Sequence, residues 1–496
     1  MTVAVNLEKP GALTLDAEAF RRAGHAAIDL AADYLGSMRD RPVFQPMTPE
    51  QRDLLMDAAL PDQGAAVSEI LDRFASDVMP FPLGNGHPRF YGWVNSSPSP
   101  VGILADLLAA TMNPSCAGGD HAAIYIERAV VRWLMELIGF PTDGSMGLLV
   151  SGGSMASLTC LTAARHWAAQ KAGWNDRVDG VQGSTGALVL YLADEGHSCM
   201  RKAAELLGLG AENTRLIPVD ANGRMIIGEL NAAIEADLAA GQRPFCVAGS
   251  AGTAMAGAID PLADIADLCV QYDLWFHVDG AYGALGVLDD RLADRYAGME
   301  RAHSVALDPH KWLSVPVECG CALVRDSALL RDTFSLVPSY VRTEEGKGVG
   351  GLPWYSEYGF QQSRGFRALK LWMTLLYAGR DGVKAHIVRQ NDLAHALAEL
   401  VDADPLFERS APADLSIVCF RMIPEGTTGD DPRLSGFNQR LANAVQSSGE
   451  AFVTSGVFNG QTVLHANTLN GETTIDDVRA LLPTIRRIAE TVGIDG

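Results

Sequence analysis

Between about residues 85 and 380 the chain repeats one pattern: a short apolar run, a turn, a stretch with helical periodicity, then another apolar run. The runs 148–150, 188–192, 215–218, 245–248, 275–278, 304–307 and 321–324 are strand-sized and largely apolar. The stretches 155–172, 200–207, 227–239 and 262–272 carry apolar residues at helical spacing. A strand apolar on both faces needs cover on both, and a helix between two strands brings them back parallel. The pattern therefore predicts an α/β unit built on a mostly parallel sheet.

The flanks differ. Residues 16–35 place Phe20, Ala23, Ala27, Ile28, Ala31 and Tyr34 at helical spacing, with Thr14 available as N-cap. Pro42, Pro46, Pro49 and Pro61 then break the chain before a second helical pattern over 67–78. A segment this small and this apolar on one face needs something to pack on, so residues 1–84 are expected to lie against a second subunit. Beyond Arg380 a helix to about 401, strands at 417–422, 452–457 and 462–466, and helices around 438–447 and from 475 predict a smaller α+β unit over 381–496. The division expected is thus 1–84, 85–380 and 381–496.

Charge narrows the function. With Lys+Arg 39 against Asp+Glu 60 the net charge is −21, and no basic run offsets it, which argues against nucleic acid and anionic membranes as partners. No apolar run is long enough to span a bilayer, and residues 1–11 lack a basic stretch followed by an apolar core, so no secretory signal is expected. Eight cysteines, most in apolar stretches, suit buried thiols in a reducing cytoplasm. Cys319 and Cys321 without a second pair make a poor zinc site, and no metal is expected.

Three clues carry chemistry. Ser151-Gly152-Gly153-Ser154 follows an apolar run and precedes a helix. Glycines let a ligand approach the backbone, and helix-terminal N–H groups hold an anion such as phosphate, although a tight turn uses glycine too. Asp279, in His277-Val278-Asp279-Gly280-Ala281-Tyr282, ends a strand, where open α/β sheets bind ligands; a helix cap or an ion pair is the plainer reading. Lys311, in Asp308-Pro309-His310-Lys311-Trp312, sits beside a proline and two aromatic rings, a setting that makes an amine nucleophilic if it is buried; an isolated lysine is more often a surface group. Taken together, an anion cradle, a strand-end carboxylate and a reactive amine are what pyridoxal phosphate requires.

These motifs, with His87-Pro88-Arg89-Phe90-Tyr91, Glu195-Gly196-His197-Ser198 and Gly252-Thr253, resemble group II pyridoxal-phosphate-dependent amino acid decarboxylases over nearly the whole chain, and aromatic-L-amino-acid decarboxylases above all. The resemblance implies fold type I, the aspartate aminotransferase-like fold, in a homodimer with sites near the subunit boundary. It implies Lys311 as the amine that takes the cofactor aldehyde, Asp279 as partner of the pyridine nitrogen and His197 stacked on the ring. Gly153, Ser154 and His310 would hold the phosphate, with Thr253, Ala281 and Asp308 also on the cofactor. Tyr340, before the glycine-rich stretch 346–351, would return a proton after carbon dioxide leaves. Phenylalanine at that position tends toward aldehyde formation, so tyrosine favours simple decarboxylation.

Departures from the pattern bear on the substrate. Asp308 stands where the family often has asparagine, and Ala254 replaces a hydroxyl residue. Trp93, Ser96, Asn113 and Ser115 fall near the expected substrate pocket, where more aromatic or bulkier residues are usual. An aromatic substrate is expected because Trp93, Phe90 and Trp354 offer ring contacts, each of which is equally a core aromatic. Arg364, Arg367 and Arg421 are possible grips for the substrate carboxylate, a role that would oppose decarboxylation by stabilising the ground state; of these Arg421 is the candidate, and a structural ion pair the plainer role. Three rival readings stay open: a decarboxylase for a non-aromatic amino acid, an aromatic aldehyde synthase and a catalytically silent binding homologue.

Overall fold

The computed structural model describes residues 13–337, 348–352 and 354–494. Its larger sheet has seven strands, β1 (Met146–Val150), β2 (Leu188–Ala193), β3 (Thr214–Ile217), β4 (Arg243–Ser250), β5 (Trp275–Asp279), β6 (Ser304–Leu307) and β7 (Gly320–Val324), in the order β1-β7-β6-β5-β4-β2-β3. Strands β2 to β6 pair in parallel, whereas β7 runs against both β1 and β6. Every residue of β1, β2, β6 and β7 is buried, as the largely apolar runs predict.

The reversal of β7 has a local cause. Only residues 308–319 separate β6 from β7, and the one short helix in that stretch, Pro309–Trp312, is too short to carry the chain back for a parallel crossover. Because β7 is flanked by two strands that both oppose it, β1 points the same way as β4, β5 and β6. The carboxyl ends of these four strands, Val150, Ser250, Asp279 and Leu307, therefore lie along one edge of the sheet.

A second sheet, β8 (Phe407–Arg409), β9 (Ile417–Met422), β10 (Thr454–Phe458) and β11 (Gln461–Asn467), is antiparallel in the order β10-β11-β9-β8. Strand alternation divides it between two cores. Ile417, Cys419 and Val463 join the core of the large sheet, while Val418, Phe420, Leu464 and Ala466 face the helices Leu434–Ser448 and Ile475–Val492. The helix Arg367–Ala403 runs between the two units, broken at Gly379, whose φ of 64° is outside the helical range.

Several sequence expectations need correction here. The first helix, Ala17–Gly36, is capped by Asp16, whose carboxylate accepts the Ala19 N–H at 2.8 Å, so Thr14 is not the cap. The pattern over 67–78 is helical throughout, as an α-helix to Arg73 and a π-helix from Phe74 to Val78. The helices Pro100–Met112 and Ala122–Ile138 were not read from the sequence. Along the N-terminal helices Phe20, Ile28, Leu54, Leu55, Ile70 and Phe74 remain exposed in the single chain.

Candidate active site

At the carboxyl edge of the large sheet a cavity of about 320 Å³ opens. The loop after β1 supplies Ser151, Gly152, Gly153 and Ser154 to it, β4 and its loop supply Ser250, Gly252, Thr253 and Ala254, β5 supplies Asp279, Ala281 and Tyr282, and the segment after β6 supplies Asp308, His310 and Lys311. His197 stands at its exposed rim. Residues far apart in the chain meet here because parallel strands deliver their following loops to one edge.

The glycine loop is shaped by close approach. A Cβ on Gly153 would lie 2.8 Å from Asp308 Oδ2 and 2.9 Å from Ala281 Cβ, so no side chain fits there. Gly153 opens the long helix Gly153–Ala172, whose first amides point out of the helix with its positive dipole end. Opposite this loop, Lys311 Nζ meets Asp308 Oδ2 at 3.0 Å. The second oxygen, Oδ1, is buried with no hydrogen-bond partner. The His310 ring is held at Nδ1 by the backbone of Cys319, whose carbonyl lies at 2.8 Å and whose N–H lies at 3.3 Å, and Nε2 faces Asp308 at 3.8 Å. From the other side the Ser96 hydroxyl donates to the His310 carbonyl at 3.0 Å.

Asp279 is held by the Ala281 N–H, which donates to Oδ1 at 3.2 Å. Two residues back along β5, His277 is fully buried, and burial pushes its pKa down to about 4, so it is neutral. Its Nδ1 meets Ser304 Oγ at 2.8 Å, the same oxygen that accepts Trp275 Nε1–H. His277 is thus a strut of the sheet beneath Asp279. At the rim, His197 Nδ1 accepts the Cys199 N–H at 3.3 Å, which leaves Nε2 as the protonated nitrogen. Thr253 uses its hydroxyl to accept the Ala258 N–H at 3.1 Å, closing a turn.

The smaller unit forms part of the wall. His465 Nε2–H donates to the Ala254 carbonyl at 3.1 Å, and burial pushes the His465 pKa down to about 4. Tyr282, stacked on Trp312 with ring centroids 5.0 Å apart, receives the Ser416 N–H on its hydroxyl at 3.0 Å.

Of the residues singled out from sequence, Gly153, Ser154, His197, Thr253, Asp279, Ala281, Asp308, His310 and Lys311 all line the cavity. Trp93, Ser96, Asn113 and Ser115 do not line it within one chain. Trp93, 48% exposed, packs on Phe90 and Phe452, and Asn113 ends the helix Pro100–Met112 in a left-handed conformation with φ 44°. Phe90 is core, stacked on Phe452, and Trp354 packs over Gly118. The three arginines are structural: Arg364 pairs with buried Glu127, Arg367 with Glu318 at 2.6 Å and Arg421 with Glu408 at 2.5 Å. Tyr340 lies outside the described residues. Sequence reasoning missed Met155, Cys199, Ser250 and Val317. Only Ser250 had a usable signal, since it ends β4 beside Asp279 in register.

The cavity fits pyridoxal phosphate. It combines a loop with no room for a Cβ, outward helix amides, a carboxylate at a strand end and an amine within reach. Among the described residues no helix is long and apolar enough to cross a membrane, and no group of three His, Cys, Asp or Glu is placed to hold a metal ion.

Comparison with known proteins agrees with this chemistry. The model of the pyridoxal-dependent decarboxylase conserved domain matches residues 49–423. The chain is 32% identical over 484 residues to an aromatic-L-amino-acid decarboxylase of Bacillus atrophaeus, covering 97% of this chain and 98% of that protein. It is 29% identical to a phenylacetaldehyde synthase of Arabidopsis thaliana, covering 91% of each. Its fold superimposes on the crystal structure of Oryza sativa TDC with PLP and tryptamine with a TM-score of 0.88 at 28% identity, covering 97% of this chain and 99% of that one. By its sequence, its fold and the chemistry of its cavity, the chain belongs to the pyridoxal-dependent decarboxylase family and is a pyridoxal-phosphate-dependent carboxy-lyase.

Proposed function

We propose that the enzyme decarboxylates an aromatic L-amino acid, of the tryptophan, tyrosine, phenylalanine or DOPA class, to its amine and carbon dioxide. The observation that carries the decarboxylase chemistry is the convergence of Lys311, Asp279 and the Gly152–Gly153 loop in one cavity. The aromatic class is supported by the names of the relatives. Bound pyridoxal phosphate supplies a conjugated ring that accepts the electron pair left on the α-carbon when the carboxylate departs.

Each residue then has a part. Lys311 would hold the cofactor by its aldehyde. Asp279, pinned by the Ala281 amide, holds a proton at the pyridine nitrogen, and neutral His277 beneath it takes no share of that charge. Gly153 and Ser154 hold the phosphate with His310, while Asp308 borders it. His197 covers one ring face and excludes water, and Thr253 and Ala281 shape the wall. Tyr340 delivers a proton to the α-carbon. No arginine among the described cavity-lining residues grips the departing carboxylate, as decarboxylation favours.

The working form is a homodimer in the cytoplasm, with Trp93, Ser96, Asn113 and Ser115 meeting substrate at the subunit boundary. Exposed Leu104, Leu107, Leu108 and Met112 on the helix leading to Asn113 support this, as do the apolar N-terminal helices. Eight buried free cysteines suit a reducing compartment.

A second reading, aldehyde formation that consumes dioxygen and releases ammonia and hydrogen peroxide beside carbon dioxide, is favoured by the likeness to a phenylacetaldehyde synthase. The test is incubation of the cofactor-loaded protein with all the common amino acids, followed by mass spectrometry of amines and aldehydes. An arylalkylamine as main product is expected. An aldehyde as main product refutes simple decarboxylation, and an amine from an acidic amino acid alone refutes the aromatic class. Tyr340→Phe should shift product from amine toward aldehyde, and an unchanged ratio removes Tyr340 from the proton transfer.

A further inference from the structure

Asp308 puts a carboxyl group where an anion is to be bound. It is 4% exposed, its Oδ2 engages Lys311 at 3.0 Å, and its Oδ1 has no partner. The carboxyl lies directly on the anion loop: a Cβ on Gly153 would come within 2.8 Å of Oδ2, and one on Gly152 within 3.9 Å of Oδ1. The groups facing it are Lys311 and His310 on its own segment, Asp279 from β5, Cys199 from the helix Cys199–Leu206 and Cys319 before β7. Of these only Lys311 and His310 are basic, and both approach Oδ2. Oδ1 is left bare beside the cradle.

Two fully ionised anions held side by side in so dry a place repel. Asparagine would remove the conflict by donating an N–H. Aspartate removes it only if a proton lies between the two anions, and a phosphate ester, with a second ionisation near neutrality, brings one. Sulfate, fully ionised throughout this range, does not. We infer that Asp308 and the phosphate share one proton in a short carboxyl–phosphoryl hydrogen bond, so that anion binding is coupled to proton uptake and discriminates phosphate from sulfate. This rests on the placement of the cofactor phosphate at the Gly152–Gly153 loop.

The probes are methyl phosphate, a monoester whose dianion carries no proton of its own, and sulfate, titrated calorimetrically into the full-length chain before cofactor is added. Buffers of different ionisation enthalpy report the proton count, at a pH where free phosphate is chiefly the dianion. Methyl phosphate should bind with uptake of about one proton, its Kd rising about tenfold per pH unit, and sulfate should bind at least about tenfold more weakly. In Asp308→Asn the uptake should vanish and the gap between the two anions should close. Equal binding of both anions by the unaltered chain without proton uptake overturns the inference, as does an Asp308→Asn variant that keeps both effects. Pyridoxal phosphate loading, read by near-visible absorbance, separates the two levels. Loading without phosphate-coupled uptake sinks the shared proton alone, and failure to load or to bind phosphate sinks the cradle as well.

Discussion

The buried pair Arg364–Glu127 offers a quantitative test of how the anion loop is supported. Strand β1 is an edge of the large sheet, and Leu149 turns its free backbone groups away from β7. Glu127 Oε1 accepts the Leu149 N–H at 2.9 Å, and Arg364 donates to the Leu149 carbonyl at 2.7 Å and to the Cys116 carbonyl at 2.9 Å. Two side chains thereby close an edge that would otherwise carry unpaired polar groups, one residue before β1 runs out into Ser151-Gly152-Gly153. Arg364→Met removes the cation and strands a carboxylate that has no exposure. Breaking a buried pair in this way costs about 3–5 kcal/mol, roughly two to four powers of ten in the folding equilibrium. Glu127→Gln is the decisive partner. In the unaltered protein it should destabilise, because Arg364 keeps its charge and loses its counterion. In Arg364→Met it should stabilise by at least about 1 kcal/mol, because a dry unpaired carboxylate costs more than an amide. Urea denaturation of the four proteins, followed by far-ultraviolet circular dichroism, measures the cycle. If Glu127→Gln destabilises equally in both backgrounds, the clamp reasoning is wrong.

Further outcomes follow from the same geometry. Gly153→Ala should keep the fold but raise the pyridoxal phosphate Kd at least about tenfold, since its Cβ would meet Asp308 Oδ2 at 2.8 Å; an unchanged Kd by absorbance titration would show that the loop yields. His166 has its pKa raised, chiefly by the hydrogen bond to Asp176 at 2.7 Å. Its contribution to stability should be full below the unfolded value of about 6.5 and lost as pH rises through the raised folded value, and His166→Gln should flatten that part of the pH–stability curve. All eight cysteines are buried, and burial pushes the Cys160, Cys199 and Cys319 thiols up to about 12. A thiol reagent should therefore find almost none in the native protein and all eight after denaturation; rapid native labelling would contradict the burial.

Where the sequence was legible, local chemistry was decisive. Strands 304–307 and 417–422 and helices 227–239 and 262–272 have the expected limits because apolar runs and helical spacing end abruptly there. Strand β1 begins two residues earlier than expected, at Met146, since Gly147 is extended by its packing on Leu323 and Val131 and not by any propensity of its own. The direction of β7 was not legible, because it depends on how little chain separates it from β6. In the site, Lys311, Asp279 and Gly153 were readable because reaction chemistry restricts which residue types serve. Cys199, Met155 and Val317 line the cavity through shape alone and carry no chemical mark. The roles of the three arginines turned on their partners, Glu127, Glu318 and Glu408, which lie 237, 49 and 13 residues away and which no local pattern connects to them.

The two sheets also share fate. With His465 bonded to the Ala254 carbonyl and Ser416 bonded to Tyr282, the cofactor wall is completed by strands from the far end of the chain. Fraying of β9 or β11 therefore dismantles that wall before the large core melts, and cofactor held in the cavity opposes such fraying by mass action. Vitamin status would thus set the lifetime of the carboxyl-terminal unit against proteolysis as well as the turnover of the enzyme.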